Sequence, residues 1–286
     1  MLTWTFVVKI EPSSLPSLRD IVTKYELSAR KSLGQHFLFD GNITAKIAAS
    51  ARPLDQGSII EVGPGPGGLT RALLADNTRE LIVIERDHRC LAILEELSAA
   101  YPGRLTVIAG DALQTNLTTL GTIPRQIVAN LPYNIGTALL LQWLETPQAF
   151  QAMTLMFQKE VADRLVAAPG TSAYGRLSVL TQWLCKVDRL FDLSPKAFVP
   201  PPKVASTVVR ITPYQQPLFP AVRPLLERIT AAAFGQRRKM LRSSLRSLNV
   251  DSLALLSAAN IDPTERAEKL SIQDFCRLAE ALAHMV

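Results

Sequence analysis

Asn130-Leu131-Pro132-Tyr133 puts a carboxamide, backbone carbonyls and an aromatic face within four residues. That set suits a flat ring bearing an exocyclic amine. The Asn130 oxygen and the carbonyl of Leu131 or Pro132 can each accept one amine hydrogen, and the ring can stack on Tyr133. Asn and Pro are also ordinary turn residues, so the tetrapeptide alone is a weak signal. Three positions upstream give it context. Gly63 opens Gly63-Pro64-Gly65-Pro66-Gly67-Gly68, where glycines admit a ligand close to the backbone and the following helix start supplies unpaired N–H groups. This is G-x-G-x-G-G, not the G-x-G-x-x-G dinucleotide fingerprint, and it lacks the lysine of a P-loop. Glu85 can accept from the hydroxyls of a cofactor ribose, and Asp111 from an adenine amino group. Each residue has a structural alternative: a tight turn, a surface acid at a strand end, an Asx turn or helix cap.

The elements that must position these residues are legible as alternating patterns. Strands are expected at Ser58–Val62, Leu81–Glu85, Leu105–Ala109, Gln126–Ala129, Met153–Phe157, Val187–Leu193 and Thr207–Ile211. Helical spacing fills Leu69–Leu74, Arg89–Ala99 and Ala138–Leu144. Strand and helix in alternation predict a parallel sheet covered on both faces. Gly63, Glu85, Asp111 and Asn130 then fall at four successive strand carboxyl ends, where open α/β sheets bind ligands. A helix is expected over Leu18–Ala29. Beyond Thr212, Pro213, Pro217, Pro220 and Pro224 punctuate a linker. Helices are expected after it at Leu225–Phe234, Arg237–Leu248, Ser252–Ala259 and Ser271–His284, with Asp251 and Ser271 as N-caps. A boundary is expected near residue 213.

Composition bounds the function. The chain has 286 residues, 48% of them hydrophobic, enough for one or two domains with a real core. Cys90, Cys185 and Cys276 are widely separated and form no C-x-x-C, which reads as three reduced thiols in a cytoplasmic protein. His36, His88 and His284 are scattered too, so no metal set is expected. No run approaches the roughly 20 apolar residues of a membrane span. Met1–Ile10 is apolar but short and lacks a basic leader, so it is not expected to be a signal peptide. The net charge is +6, and the segment from Ala221 to Arg246 alone carries that excess, with Arg223, Arg228, Arg237, Arg238, Lys239, Arg242 and Arg246 against Glu227. A local basic stripe on a neutral body points to a polyanionic partner; its alternative is a solvated helix face.

The order of glycine turn, acid, Gly-Asp-Ala and Asn-Leu-Pro-Tyr resembles class I S-adenosylmethionine-dependent methyltransferases that act on an adenine amino group. Three further segments narrow the resemblance: Lys31-Ser32-Leu33-Gly34-Gln35-His36-Phe37-Leu38, Phe198-Val199-Pro200-Pro201-Pro202-Lys203-Val204-Ala205-Ser206, and Phe234-Gly235-Gln236-Arg237-Arg238-Lys239-Met240-Leu241-Arg242. Together they resemble the KsgA/RsmA family, the small-subunit ribosomal RNA adenine dimethyltransferases. The resemblance runs from about Leu27 through the C-terminal region. It implies a Rossmann-like α/β sheet domain over 27–212, preceded by an extension and leading helix over 1–26, and a smaller all-helical RNA-binding domain over 213–286. It assigns His36, Leu38, Gly63, Glu85, Asp111 and Asn130 to S-adenosylmethionine. His36 stands where many members carry Asn. It assigns Asn130, Leu131, Pro132 and Tyr133 to the target adenine, with Phe198 on the other face of the base or lining the pocket. Phe198 could equally plug the core beneath a rigid proline loop. Arg237, Arg238, Lys239 and Arg242 would hold RNA phosphates.

The expected activity is N6,N6-dimethylation of two adjacent adenosines in the 3′-terminal loop of 16S rRNA, in an assembling small ribosomal subunit, by a cytoplasmic monomer without metal. Two other readings stay open: a macrolide-resistance-type 23S rRNA methyltransferase, and a mainly non-catalytic assembly checkpoint factor. A DNA adenine methyltransferase is a minor one, because little chain remains for a target-recognition domain.

Overall fold

The computed structural model describes residues 15–285, so the expectation for Met1–Ile10 lies outside the described residues. The chain forms two compact units. The first runs to Gln158 and resumes over Leu190–Arg210; the second comprises Lys159–Arg189 and the chain from Ile211 onward. The expected single boundary near 213 is therefore corrected: the chain crosses between units three times.

In the first unit, α1 (Leu18–Lys24) starts on the Ser17 side chain and is shorter than its apolar pattern predicts. Glu26 enters the left-handed region at φ 46°, and the Leu27 N–H turns back to the Val22 carbonyl, which ends the helix. After β1 (Phe37–Leu38), α2 (Gly41–Ser50) is an element the sequence pattern did not show; Asp40 caps it by accepting from the Asn42 and Ile43 N–H groups. Then β2 (Ser58–Val62), α3 (Gly68–Ala75), β3 (Glu80–Glu85), α4 (His88–Ala100), β4 (Leu105–Ala109), β5 (Arg125–Asn130), α5 (Gly136–Trp143) and β6 (Ala152–Gln158) follow the expected alternation. β2 and β3 are buried along almost their whole length, as strands covered on both faces are.

β4, β3, β2, β5 and β6 are neighbours in that order and pair in parallel. The strand order leaves β2 toward β3 on one side and toward β5 on the other, so the crevice beyond their carboxyl ends is a topological switch point. The register brings Val62 beside Ile84 and Glu85 beside Ala109, which levels the strand ends. Ile59, Leu73, Leu81, Ile93, Leu94 and Val128 form the core beneath this edge, each nearly inaccessible.

The second unit contains α6 (Lys159–Leu165) and α7 (Arg176–Leu184), neither read from the sequence as helices. Polar and aromatic links tie these to the later chain. The Gly170 N–H donates to the Glu268 carbonyl, Trp183 Nε1 donates to the Phe219 carbonyl, and the Phe234 ring lies 6.0 Å from Tyr174 and 5.4 Å from Phe275. Between the units' main stretches run β7 (Cys185–Leu193), β8 (Phe198–Val199) and β9 (Ser206–Pro213). β9 and β7 complete the sheet order after β6, while β8 pairs antiparallel with β1.

The C-terminal segment is helical as expected, with α8 (Arg223–Gly235), α9 (Leu241–Ser244), α10 (Ser252–Ala258) and α11 (Ile272–Ala283). Asp251 and Ser271 cap α10 and α11. The expected helix over Arg237–Leu248 is corrected. Gln236–Lys239 is a turn, Met240 is extended, and only Leu241–Ser244 and a 3-10 turn at Leu245–Leu248 are helical. The reason lies in the backbone: Leu241 and Arg242 donate their N–H groups to the Glu265 and Pro263 carbonyls, not to a preceding helical turn.

Candidate active site

The carboxyl ends of β2, β3, β4 and β5 open into one cavity in the first unit, closed on another side by Ser32–Leu38. Gly63 and Gly65 take φ of 69° and 56°, conformations that carry the chain sharply from β2 toward α3 and that a side chain disfavours.

Glu85 is 6% exposed. Its Oε2 accepts from the Gly65 N–H at 2.9 Å, and Oε1 accepts from the Arg86 and Asp87 N–H groups at 2.8 and 2.7 Å. Burial raises its pKa, and these three backbone donors offset only part of that rise. The carboxylate thus ties the glycine turn to the end of β3. Of its roughly four acceptor positions, one on Oε2 is left for a ligand hydroxyl. Asp111 accepts from the Leu113 N–H through Oδ1 at 3.0 Å, while Oδ2 lies 3.1 Å from the Arg86 guanidinium. It is both the Asx turn and a cavity wall.

Asn130 Nδ2 donates to the His36 carbonyl at 3.1 Å, which leaves Oδ1 as the acceptor. The Pro132 carbonyl accepts from the Ile135 and Gly136 N–H groups where α5 begins. Of the two backbone acceptors expected, that leaves the Leu131 carbonyl. The Leu131 side chain is buried. The Tyr133 hydroxyl meets the Ser206 hydroxyl at 2.5 Å, and its ring lies 5.1 Å from the His36 ring. His36 Nδ1 donates to the Pro200 carbonyl at 2.8 Å. Gln35 donates to Asp87, which also pairs with Arg89, fastening the segment before β1 across the end of β3.

All of the expected cofactor positions, His36, Leu38, Gly63, Glu85, Asp111 and Asn130, line this cavity with Leu131, Pro132 and Tyr133. Phe198 does not. It is 2% exposed within the core cluster and pairs with Leu38 across the β1–β8 ladder. Its reading as a pocket face is corrected to the alternative, a core plug under the proline loop, because its ladder partner holds it on the buried side. Sequence reasoning passed over Glu61. It lines the cavity at 1% exposure, accepts from the Thr70 hydroxyl at 2.7 Å, and burial pushes its pKa up to about 8. An acid inside an apolar strand, two residues before the glycine turn, was the available signal.

In the second unit, Arg237, Arg238, Lys239 and Arg242 are exposed, and the first three form no ion pair among the described residues. Arg223 of the same stripe is paired with Glu227 one helical turn on. Among the described residues no helix is long and apolar enough to cross a membrane.

The profile of the family described as ribosomal RNA adenine dimethylase matches residues 26–284. The chain belongs to that family. It is 58% identical to a ribosomal RNA small subunit methyltransferase A of Rhodospirillum rubrum, over 94% of this chain and 93% of the relative. It is 57% identical to its counterpart in Paramagnetospirillum magneticum, over 94% and 96%. A crystal structure of a dimethyladenosine transferase from Plasmodium falciparum superposes with a TM-score of 0.76 at 25% identity, covering 87% of this chain and 98% of that one. A 23S rRNA methyltransferase, ErmE, superposes with a TM-score of 0.64 at 26% identity, covering 86% and 99%. The α/β fold is thus that of a class I methyltransferase.

As a ribosomal RNA adenine dimethylase, the enzyme uses S-adenosylmethionine as methyl donor. The cavity fits that group chemically. Ribose hydroxyls and an adenine amine are donors, and Glu85, Asp111 and Asn130 offer acceptors at the strand ends. The glycine turn leaves the backbone open to approach.

Proposed function

We propose that this rRNA adenine dimethyltransferase places two methyl groups on N6 of each of two adjacent adenosines in the 3′-terminal hairpin loop of 16S rRNA. In this reading it works as a cytoplasmic monomer on the assembling small subunit. The observation that carries the chemistry is the Asn130 amide. With Nδ2 committed to the His36 carbonyl, Oδ1 is fixed as an acceptor for an N6 hydrogen. The Leu131 carbonyl accepts the second, since Pro132's is spent on α5.

The target is a poor nucleophile because the amino lone pair is delocalised into the ring. Accepting both hydrogens off the ring plane favours a more tetrahedral nitrogen. Glu85, Asp111 and the glycine turn would hold S-adenosylmethionine, which would supply an electrophilic sulfonium methyl and depart as S-adenosylhomocysteine with the S–C bonding pair. Attack leaves the nitrogen cationic and acidic, and it then gives its proton to water, so the transfer needs neither a strong base nor a metal. Alignment and fixed dipoles carry the rate. After one transfer a single hydrogen remains for Asn130 Oδ1 or the Leu131 carbonyl, and Tyr133 keeps the base stacked for the second.

An adenine must leave its stack to reach such a cavity, which is cheapest in a loop. Arg237, Arg238, Lys239 and Arg242 supply sequence-independent phosphate contacts for a structured RNA. The small-subunit substrate is supported by relatives at 57–58% identity, against 26% for the 23S enzyme.

The test is to give labelled S-adenosylmethionine to naked RNA and to undermethylated small subunits and map the product. Label is expected as N6,N6-dimethyladenosine in the small-subunit 3′ loop. Label in large-subunit RNA or DNA would overturn the reading.

A further inference from the structure

The two rings at the mouth of the adenine slot are held by a segment remote in sequence from both. Tyr133 follows β5 and His36 precedes β1, yet their outer polar atoms end on Ser206 and Pro200 respectively. Ser206 is fully buried, the first residue of β9. Its Oγ lies 2.5 Å from the Tyr133 hydroxyl. A carbonyl only accepts, so His36 Nδ1 carries the hydrogen that reaches Pro200. The rings sit 5.1 Å apart at 31°. The intervening chain is stiff. Pro200, Pro201 and Pro202 have fixed φ, and Phe198 anchors the segment in the core. Tyr133 itself is only half-buried.

We infer that Ser206 is a positioning residue for methyl transfer: its hydroxyl pins the Tyr133 ring against His36 and so fixes the plane on which the target adenine stacks. This rests on the reading of Tyr133 as the base-stacking wall. The physical effect is pre-organisation. A tethered ring presents one stacking plane, while a free one must be ordered each time the base arrives. Dimethylation makes the demand twice, since N6 must return to the same place for a second methyl. A loose ring therefore slows both transfers and releases more monomethyl product.

Ser206→Ala removes one oxygen and keeps the Cβ; Tyr133→Phe breaks the same bond from the other end without touching the buried strand. Each is expected to lower kcat on small subunits about five- to tenfold, the scale of one lost hydrogen bond. Each should also raise the ratio of N6-methyladenosine to N6,N6-dimethyladenosine. The double variant should be no worse than either single one, because both remove one interaction. S-adenosylhomocysteine affinity by calorimetry should stay at the wild-type value.

Wild-type kcat and product ratio in both single variants would overturn the inference, as would effects that multiply in the double variant. So would a fall in melting temperature with unchanged kcat per folded enzyme, which is what a merely structural Ser206 gives. Tyr133→Ala separates this from the reading beneath it. Full activity there sinks the base-wall reading and the inference together. Loss of activity in Tyr133→Ala, with Ser206→Ala and Tyr133→Phe unaffected, sinks only the positioning role.

Discussion

The strand-end cavity and the basic turn at Gln236–Arg242 are built in opposite ways. In the cavity, polar groups are shielded and already engaged: buried Glu85 holds three backbone N–H groups, half-buried Asn130 holds a carbonyl, and half-buried Tyr133 holds a serine. In the turn, Arg237, Arg238 and Lys239 stand in solvent without an acidic partner among the described residues. Shielded, engaged dipoles have fixed directions and lose nothing to reorganisation when a reacting group arrives. Exposed cations on long stems are less constrained, although Arg237 donates to the Thr171 carbonyl at 3.3 Å. They suit a polyanion whose charges are repeated along a backbone, and salt screens them. In the proposed reading, chemistry sits where geometry is determined, and RNA affinity where it need not be.

The sharpest way to break this comparison is Asn130→Ala. Methyl transfer to small subunits is expected to fall at least about 100-fold, as for loss of a pre-organised transition-state contact, while RNA affinity in a gel-shift assay holds. Retained activity would mean the strand-end geometry does not carry the reaction.

Phe198→Ala separates packing from chemistry within the first unit. Its ring is sealed in the core beside Leu38, so the variant should lose about 3–5 kcal/mol of stability in denaturant unfolding. Loss of activity without loss of stability would return Phe198 to the pocket.

Replacing Arg237, Arg238 and Lys239 by Ala addresses the other half. RNA affinity should drop about 10- to 100-fold at low salt, and the slope of log affinity against log salt should flatten by about two. S-adenosylhomocysteine affinity should not change. A collapse of cofactor binding would show that the turn is not the separable phosphate contact described here.

The smallest effect is a pH dependence inside the cavity. Burial holds the Glu61 pKa near 8, above the 4.5 of an ordinary glutamate. Between these values the unfolded chain has released the proton and the folded chain has kept it. Stability therefore falls as pH rises from about 4.5 to about 8 and levels off above. Glu61→Gln removes that loss, so its melting temperature at pH 8.5 should exceed the wild type's by at least about 3 °C, with little gain at pH 5. An equal difference at both pH values would refute the assignment.

How much was legible in the sequence depends on how local the cause is. Strands β2, β3, β5 and β6 and the helices between them were readable because two-sided burial writes long apolar runs and amphipathic spacing into contiguous residues. The ends of those strands and of β4 then ordered Gly63, Glu85, Asp111 and Asn130 along one sheet edge. The helix expected over Arg237–Leu248 failed because Leu241 and Arg242 give their N–H groups to Glu265 and Pro263, more than 20 residues away. The single domain boundary failed similarly. The short helices α6 and α7 belong to the second unit through Tyr174, Trp183 and their partners, which no local pattern announces.

The sequence by itself determined the sheet and which residues end its strands, since both follow from side-chain periodicity and backbone preference over a few residues. It also determined the residue types at the site, and through them the family. Tertiary structure alone decided which atoms remain available. It spent the Pro132 carbonyl on α5, turned the Asn130 amide by way of the His36 carbonyl and left Glu85 one acceptor position. It also drew Phe198 into the core and set Ser206 against Tyr133. The reason is that each hydrogen-bonding atom has a limited number of partners, and the competition for them is settled only when distant segments meet.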